Sequence, residues 1–235
     1  MKKEWWDIKA PGMFVNRKFT KTPVNQSAGK KLSSDALKGR VFEINLGDLN
    51  GQGALTYKKI KLIVDDASEA KARVALTNFY GMDTTRDHLC SLIRKWHSLI
   101  EAVVDAKTSD GFLLRFFPIA FTQRGKYQLK ATTYAQRSQV KQIRKKMVEV
   151  ITREASKSTL KDLVLKLIHE KIPTEITQQA KKIFPIHNCI IRKVKTLKRP
   201  RFDISQLLSI HSDLTTVGAP ETKEETTTAS ANLVK

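Results

Sequence analysis

From Arg124 to Met147 the sequence carries Arg124, Lys126, Lys130, Arg137, Lys141, Arg144, Lys145 and Lys146 and no acidic residue, while Val140, Ile143, Met147, Val150 and Ile151 recur at helical spacing. That apolar spacing requires a long helix with one face against a core. The cations argue against an ordinary solvated helix, which interleaves signs. Arg137, Lys141, Arg144 and Lys145 share a stripe beside the apolar one, so the helix can anchor to a core and offer positive charge to phosphates at once. A merely soluble helix face is the plain alternative, but an acid-free stretch of this length repels itself unless something neutralises it.

The imbalance extends to the whole chain. Its 43 Lys plus Arg against 23 Asp plus Glu leave a formal charge of +20, which calls for a polyanion, and nucleic acid supplies one by exchanging its counterions for Lys and Arg. A second acid-free cluster, Arg192, Lys193, Lys195, Lys198, Arg199 and Arg201, falls on a strand end and the loop before Pro200. Guanidinium groups fork onto phosphate or stack on splayed bases, and ammonium groups act as point charges, so this mixture suits a folded RNA surface. Near the start, Trp5 and Trp6 beside Lys2, Lys3 and Lys9 either stack on bases or plug a pocket of the protein itself. An anionic membrane fits less well, because no uncharged run approaches the length of a span. Residues 1–20 hold Glu4, Asp7, Lys9, Arg17 and Lys18 where a secretion signal needs an apolar core, so a cytosolic or nuclear location is expected.

Elsewhere the pattern predicts strands. Phe42, Ile44 and Leu46 alternate with polar residues, as do Ile60, Leu62 and Val64, with Gly51-Gln52-Gly53 as a turn between the two strands. A third strand is expected over 73–79, broken by Gly81, with Asp83 or Thr84 capping a helix. That helix carries Leu89, Leu92, Ile93, Trp96, Leu99 and Ile100 on one face and is expected to pack on the sheet. Strands over 103–107 and 112–121 meet at Ser109-Asp110-Gly111. Two shorter helices over 160–168 and 176–183, separated near Pro173, a strand over 186–194 and a short helix over 203–210 complete the pattern. The expected fold is therefore α+β: an antiparallel, barrel-like sheet packed on an amphipathic helix, followed by a basic helical block, with extended termini. The expected divisions are an extended basic arm at 1–40, a strand-rich α+β domain at 41–125, a basic helical and strand block at 126–212, and a disordered tail at 213–235.

Catalysis and metal binding find little support. His88-Leu89-Cys90 and His187-Asn188-Cys189 repeat a spacing zinc can use, but residues two apart diverge on a helix, and the first pair lies on a predicted one. Two ordinary core cysteines and no metal site are expected. Asp65, Asp66 and Asp83 with His88 are the only conceivable constellation for an RNA-cleaving enzyme, and no Walker loop, nucleophile elbow or dinucleotide fingerprint occurs. No catalytic residue and no cofactor are expected. An assembly or translation factor that visits RNA transiently has the same composition as a permanent subunit.

Several segments resemble a known family, the small-subunit ribosomal protein of eukaryotes and archaea called S-three-a in older nomenclature and e-S-one in the newer. They are Trp5-Trp6-Asp7-Ile8-Lys9-Ala10-Pro11, Leu37-Lys38-Gly39-Arg40-Val41-Phe42-Glu43, Leu76-Thr77-Asn78-Phe79-Tyr80-Gly81-Met82-Asp83, Lys107-Thr108-Ser109-Asp110-Gly111, Gln142-Ile143-Arg144-Lys145-Lys146-Met147 and Ile191-Arg192-Lys193-Val194-Lys195. The resemblance covers about residues 4–211. It implies a non-enzymatic structural constituent of the small ribosomal subunit, seated on the platform near the mRNA exit, contacting ribosomal RNA and neighbouring ribosomal proteins, with mRNA and a translation initiation factor nearby. It also implies a cytoplasmic, ribosome-bound location, with assembly in the nucleolus of a eukaryote. Carried onto this chain, the family's RNA contacts fall on the cations of 142–147 and 191–195, the same ones the charge argument selects. A basic stretch that family members carry ahead of the paired tryptophans has no counterpart before Trp5 here, and the tail after Ser212 matches nothing the family fixes.

Overall fold

The computed structural model describes residues 2–68, 73–201 and 203–212. Among them nine strands form one sheet: β1 (Lys3–Lys9), β2 (Lys18–Asn25), β3 (Val41–Asn45), β4 (Lys58–Ser68), β5 (Val74–Thr84), β6 (Leu99–Glu101), β7 (Val104–Lys107), β8 (Leu113–Thr122) and β9 (Ile186–Lys198). Seven α-helices accompany them: α1 (Ser33–Leu37), α2 (Leu46–Asn50), α3 (Arg86–Leu92), α4 (Arg137–Lys157), α5 (Leu160–Ile168), α6 (Lys171–Ala180) and α7 (Ile204–Ser212). The sheet is open and runs β2-β1-β5-β9-β8-β6, with β4 on the other side of β5, β3 beyond β4, and β7 beside β8. Every pairing is antiparallel except that of β1 with β5.

The period-2 pattern works as expected in β4, β5, β8 and β9. Ile60, Leu62, Met82, Leu114, Phe116 and Val194 are buried in one core, each worth about 1.5–3 kcal/mol when fully removed from water. The long helix supplies the opposite layer: Ile143, Met147, Val150, Ile151 and Ala155 of α4 are all buried in that core. Its first turn is fixed by Gln139, whose side-chain oxygen accepts the Gln136 backbone N–H at 3.0 Å. Helices α5 and α6 add Leu163, Val164, Leu167, Ile172 and Ile176 to the same core. Pro173 does not separate two helices. It lies in the first turn of α6, where its missing N–H costs nothing.

Three further expectations fail, each for a physical reason. The predicted core helix through Ile100 stops at Leu92, and none of its residues is buried. Ile93 and Trp96 are exposed, and residues 99–101 enter the sheet as β6, where Ile100 is buried opposite Ala120 of β8. A helical stripe was present, but sheet pairing at its far end outweighs helix propensity. The packed amphipathic helix of the fold is therefore α4. Gly81 does not end the third strand; β5 continues through it to Thr84, because a residue without a side chain lets β9 approach, a Cβ there lying only 2.7 Å from Val194 O. Residues 3–25 do not run free as an arm. They form the β1–β2 hairpin, whose Trp6 and Ile8 are fully buried at alternate positions, and β1 pairs with β5. The tail at 213–235 lies outside the described residues.

The loop between β1 and β2 meets the last helix. Gly12 N–H donates to Ile210 O at 2.9 Å and Arg17 donates to His211 O at 3.0 Å. The buried His211 imidazole places Nε2 2.9 Å from Thr77 O of β5.

Candidate nucleic-acid interface

On α4 the residues that flank the buried stripe, Arg137, Lys141, Arg144 and Lys145, are all exposed. Lys146 is partly neutralised by Glu149, 2.6 Å away one helical turn on, and that contact holds the Glu149 carboxyl below the usual range. Arg144 Nε donates to Glu101 O at 2.9 Å. This bond fixes its guanidinium over the bend between β6 and β7 and leaves the other N–H groups for further acceptors.

β9 brings the second cluster to the same place. Pairing with β8 sets Lys193 opposite Phe117 and Lys195 opposite Arg115. The Arg192 guanidinium lies 5.9 Å from the Phe117 ring centroid, and Lys195 Nζ lies 5.7 Å from it, distances at which ring and cation attract. Arg144 and Arg192 line one groove whose walls include Val103, Phe117, Pro118 and Val148. Val103 and Val148 are exposed. Two acid-free segments some fifty residues apart in sequence thus converge on a groove lined by two guanidinium groups, apolar surface and one acidic residue, Glu101. Such a groove can fork onto phosphates while accepting sugar or base faces.

The remaining predicted site residues do not all join it. Lys193 is paired with Asp83 at 3.0 Å. Arg199 is held by Asp65 at 2.8 Å and lies 5.8 Å from the Tyr80 ring centroid. Burial pushes the Asp65 carboxyl up, against the opposing pull of Arg199. Arg199 and Arg201 line a different cavity, beside α7. The cluster predicted as one patch is therefore split along a strand, with the exposed Lys198 at the α7 end. Toward the other end of the sheet, Lys3 donates to Asn25 Oδ1 at 2.6 Å and Lys2, just before β1, is exposed; β1 is separated from β9 by β5. Of the paired tryptophans, Trp5 is 60% exposed, whereas Trp6 is fully buried with Val24, Leu37, Val64 and Ala75. Trp6 plugs the protein and is unavailable for base stacking. Sequence reading did not single out Phe117, Val103 and Val148. For Phe117 the signal was there, since Leu114 and Phe116 facing inward put Phe117 outward.

The carboxylates weighed as an enzyme's metal ligands are committed elsewhere: Asp65 to Arg199, Asp66 to Lys38 at 3.5 Å, Asp83 to Lys193. His88 stacks on Tyr57, ring centroids 4.3 Å apart. Cys189 is buried, its thiol pushed up to about 12 by burial, but Cys90 is exposed rather than in the core as expected, because α3 does not pack inward. No helix among the described residues is long and apolar enough to cross a membrane.

A strongly basic α+β protein that carries Arg137, Lys141, Arg144 and Lys145 exposed on one helix and Asp65, Asp66 and Asp83 in ion pairs has the character of the structural components of nucleoproteins. The sequence model of the Ribosomal S3Ae family matches residues 1–200, and the chain belongs to that family. It is similar to the small ribosomal subunit protein eS1 of Plasmodium yoelii yoelii and of Plasmodium falciparum, each 52% identical over 238 residues, spanning 99% of this chain and 90% of the relative. The same protein of Babesia bovis is 46% identical over 234 residues, spanning all of this chain and 88% of the relative. The family resemblance read from the sequence therefore holds, and the protein is a ribosomal structural component, not an enzyme.

Proposed function

We propose that this chain, a structural constituent of the small ribosomal subunit, binds ribosomal RNA through the groove where the amino-terminal half of α4 meets β8 and β9. The observation that carries the reading is the convergence of Arg144 and Arg192 on one groove, flanked by the exposed Lys141, Lys145 and Lys195. These cations neutralise phosphates of a folded RNA, and because α4 is anchored by its buried stripe, they do so from a rigid frame. Arg137, Lys146 and Lys193 extend the positive face, the last two at reduced charge. Lys198, Arg199 and Arg201 form a second, smaller contact at the α7 end, and Lys2, Lys3 and Trp5 a third at the start of β1. The seat on the platform near the mRNA exit, beside neighbouring ribosomal proteins, mRNA and a translation initiation factor, is part of the same reading and rests on the family resemblance. So does assembly in the nucleolus of a eukaryotic cell.

The test is the salt dependence of binding to small-subunit RNA. Each phosphate contact contributes about −0.9 to the slope of log affinity against log salt. Arg144→Gln combined with Arg192→Gln is expected to flatten that slope by about 2 and to reduce co-sedimentation with small subunits at about 0.5 M salt, where loose cationic binding is screened. An unchanged slope in the double variant refutes the groove as the RNA contact.

A further inference from the structure

Residues 93–98, leaving α3, run beside the loop of residues 123–136, and hydrogen bonds knit the two together. Thr133 N–H donates to Trp96 O at 2.8 Å and Ala135 N–H to Ser98 Oγ at 3.1 Å. Thr122 Oγ1 donates to Thr133 O at 2.6 Å and accepts the Ser98 N–H at 2.9 Å. His97 Nδ1 lies 2.6 Å from Thr122 O. Thr133 is buried at the centre of this double loop, and its bridge partner His97 is half-buried. Trp96 and Tyr134, the residues next to that bridge on each loop, are each 58% exposed. Trp96 adopts φ +69, a left-handed backbone that a bulky side chain rarely takes and that persists only where the surroundings over-determine it. These hydrogen bonds supply that determination. The tryptophan is thus held outward by the fold, at a point where continuing α3 would have turned it elsewhere.

The setting is positively charged. No acidic residue lies between His88 and Ile100, nor anywhere from Gly111 to Val148. Arg94, Lys95, Lys126 and Lys130 are exposed on the two loops. Arg124 serves the loop instead, donating to Gln128 O and Leu129 O and closing the turn. Protein-binding patches are depleted in Lys at their cores. Exposed rings among cations without acids match what an unpaired RNA strand requires: faces for its bases and counter-charges for its phosphates.

We propose that this double loop is a separate RNA-binding surface, specific for unpaired bases, with Trp96 and Tyr134 as stacking faces and Arg94, Lys95, Lys126 and Lys130 engaging the backbone. It shares no residue with the α4–β9 groove and does not depend on it. The experiment measures binding of the full chain to a short oligouridine, to its abasic counterpart with the same sugar–phosphate backbone, and to an RNA duplex of the same length, by fluorescence anisotropy. The intact strand is expected to bind about tenfold more tightly than the abasic one, as base stacking on one ring predicts. Trp96→Ala removes most of that ratio and Tyr134→Ala part of it, while neither changes duplex binding. Arg144→Gln with Arg192→Gln weakens duplex binding and leaves the ratio intact, so failure of the groove and failure of the loops are read separately. Should Trp96→Ala disturb folding, the wild-type comparison of intact and abasic strands stands alone. Equal affinity of those two strands overturns the proposal and leaves the aromatic surface to a protein neighbour; a ratio that survives both aromatic substitutions overturns it as well.

Discussion

Replacing Gly81 by alanine tests whether the sheet is joined as described. At Gly81 strand β5, paired with β4 as far as Thr84 on one edge, begins on its other edge a junction with β9 made by Gly81↔Lys195, Met82↔Val194 and Asp83↔Lys193. A Cβ at this position would stand 2.7 Å from Val194 O, against the 3.4 Å at which ordinary contact begins. The obstacle is a backbone carbonyl held in the sheet, so no side-chain rotation can relieve it and the two strands must separate. Overpacking of this kind costs about 1–3 kcal/mol, which for a chain of this size lowers the melting temperature by roughly 2–12 °C. Gly53→Ala is the control, because nothing lies within 4 Å of a Cβ there and its backbone is not left-handed; it should leave the melting temperature unchanged or slightly raised. Thermal unfolding followed by circular dichroism reads both. Since the junction also positions Lys193 and Lys195, Gly81→Ala should weaken RNA binding in step. A Gly81→Ala protein that melts with its parent refutes the close approach.

Two further predictions concern buried charge. The His211 imidazole is held below its ordinary value of 6.5, chiefly by burial, with Lys9 and Arg17 adding repulsion and the hydrogen bond to Thr77 O opposing. The unfolded chain therefore takes the proton first, so the stability that docked α7 contributes is complete above pH 6.5 and is lost as pH falls below it. His211→Gln should flatten the pH dependence of urea unfolding in that window, and an identical profile in parent and variant refutes the assignment. Lys58, 4% exposed, lies 2.9 Å from Glu170 and donates to Leu167 O at 3.2 Å and Ile168 O at 3.4 Å at the end of α5. Lys58→Met strands those carbonyls and leaves the half-exposed Glu170 to the Tyr57 hydroxyl, which donates to it at 2.6 Å, a loss of about 1–3 kcal/mol; adding Glu170→Gln should recover part of it, and strict additivity in the double-mutant cycle counts against the pair.

The parts of the fold legible in sequence were those set by local rules. The stripe from Ile143 to Ile151 predicted α4 and its buried face, and Ser109-Asp110-Gly111 predicted the β7–β8 hairpin, in which Gly111 does adopt φ +88. The alternation in 42–46 and 60–64 predicted the β3–β4 pair, although Leu46 begins α2 and the connection holds a helix and a 3-10 turn at Gly53–Leu55 instead of a tight turn. What escaped depended on distant partners. Leu99 and Ile100 fit a helical face as well as a strand until Phe121 and Ala120 are seen to pair with them. The alternating burial of Trp6 and Ile8 acquires meaning only when β5, some seventy residues on, lies alongside β1. The cations of the groove were legible because charge is a property of residues, but that Arg144 and Arg192 share one groove while Arg199 turns to Asp65 is a property of the sheet.

The position of β9 bears on how the chain must fold. Among the described residues, the group containing β1, β2, β3, β4 and β5 has no direct pairing with the group containing β6, β7 and β8, and β9 joins them. This joining strand is the last of the nine to be synthesised. Until it arrives, the β8 edge and the Gly81–Asp83 stretch of β5 carry unpaired backbone groups, the kind of edge that recruits other chains. A growing polypeptide synthesised from its amino terminus therefore passes the interval between the end of β8 at Thr122 and the arrival of β9 at Ile186 as two half-sheets awaiting their centre. Protection of those edges during synthesis is a requirement built into the strand order.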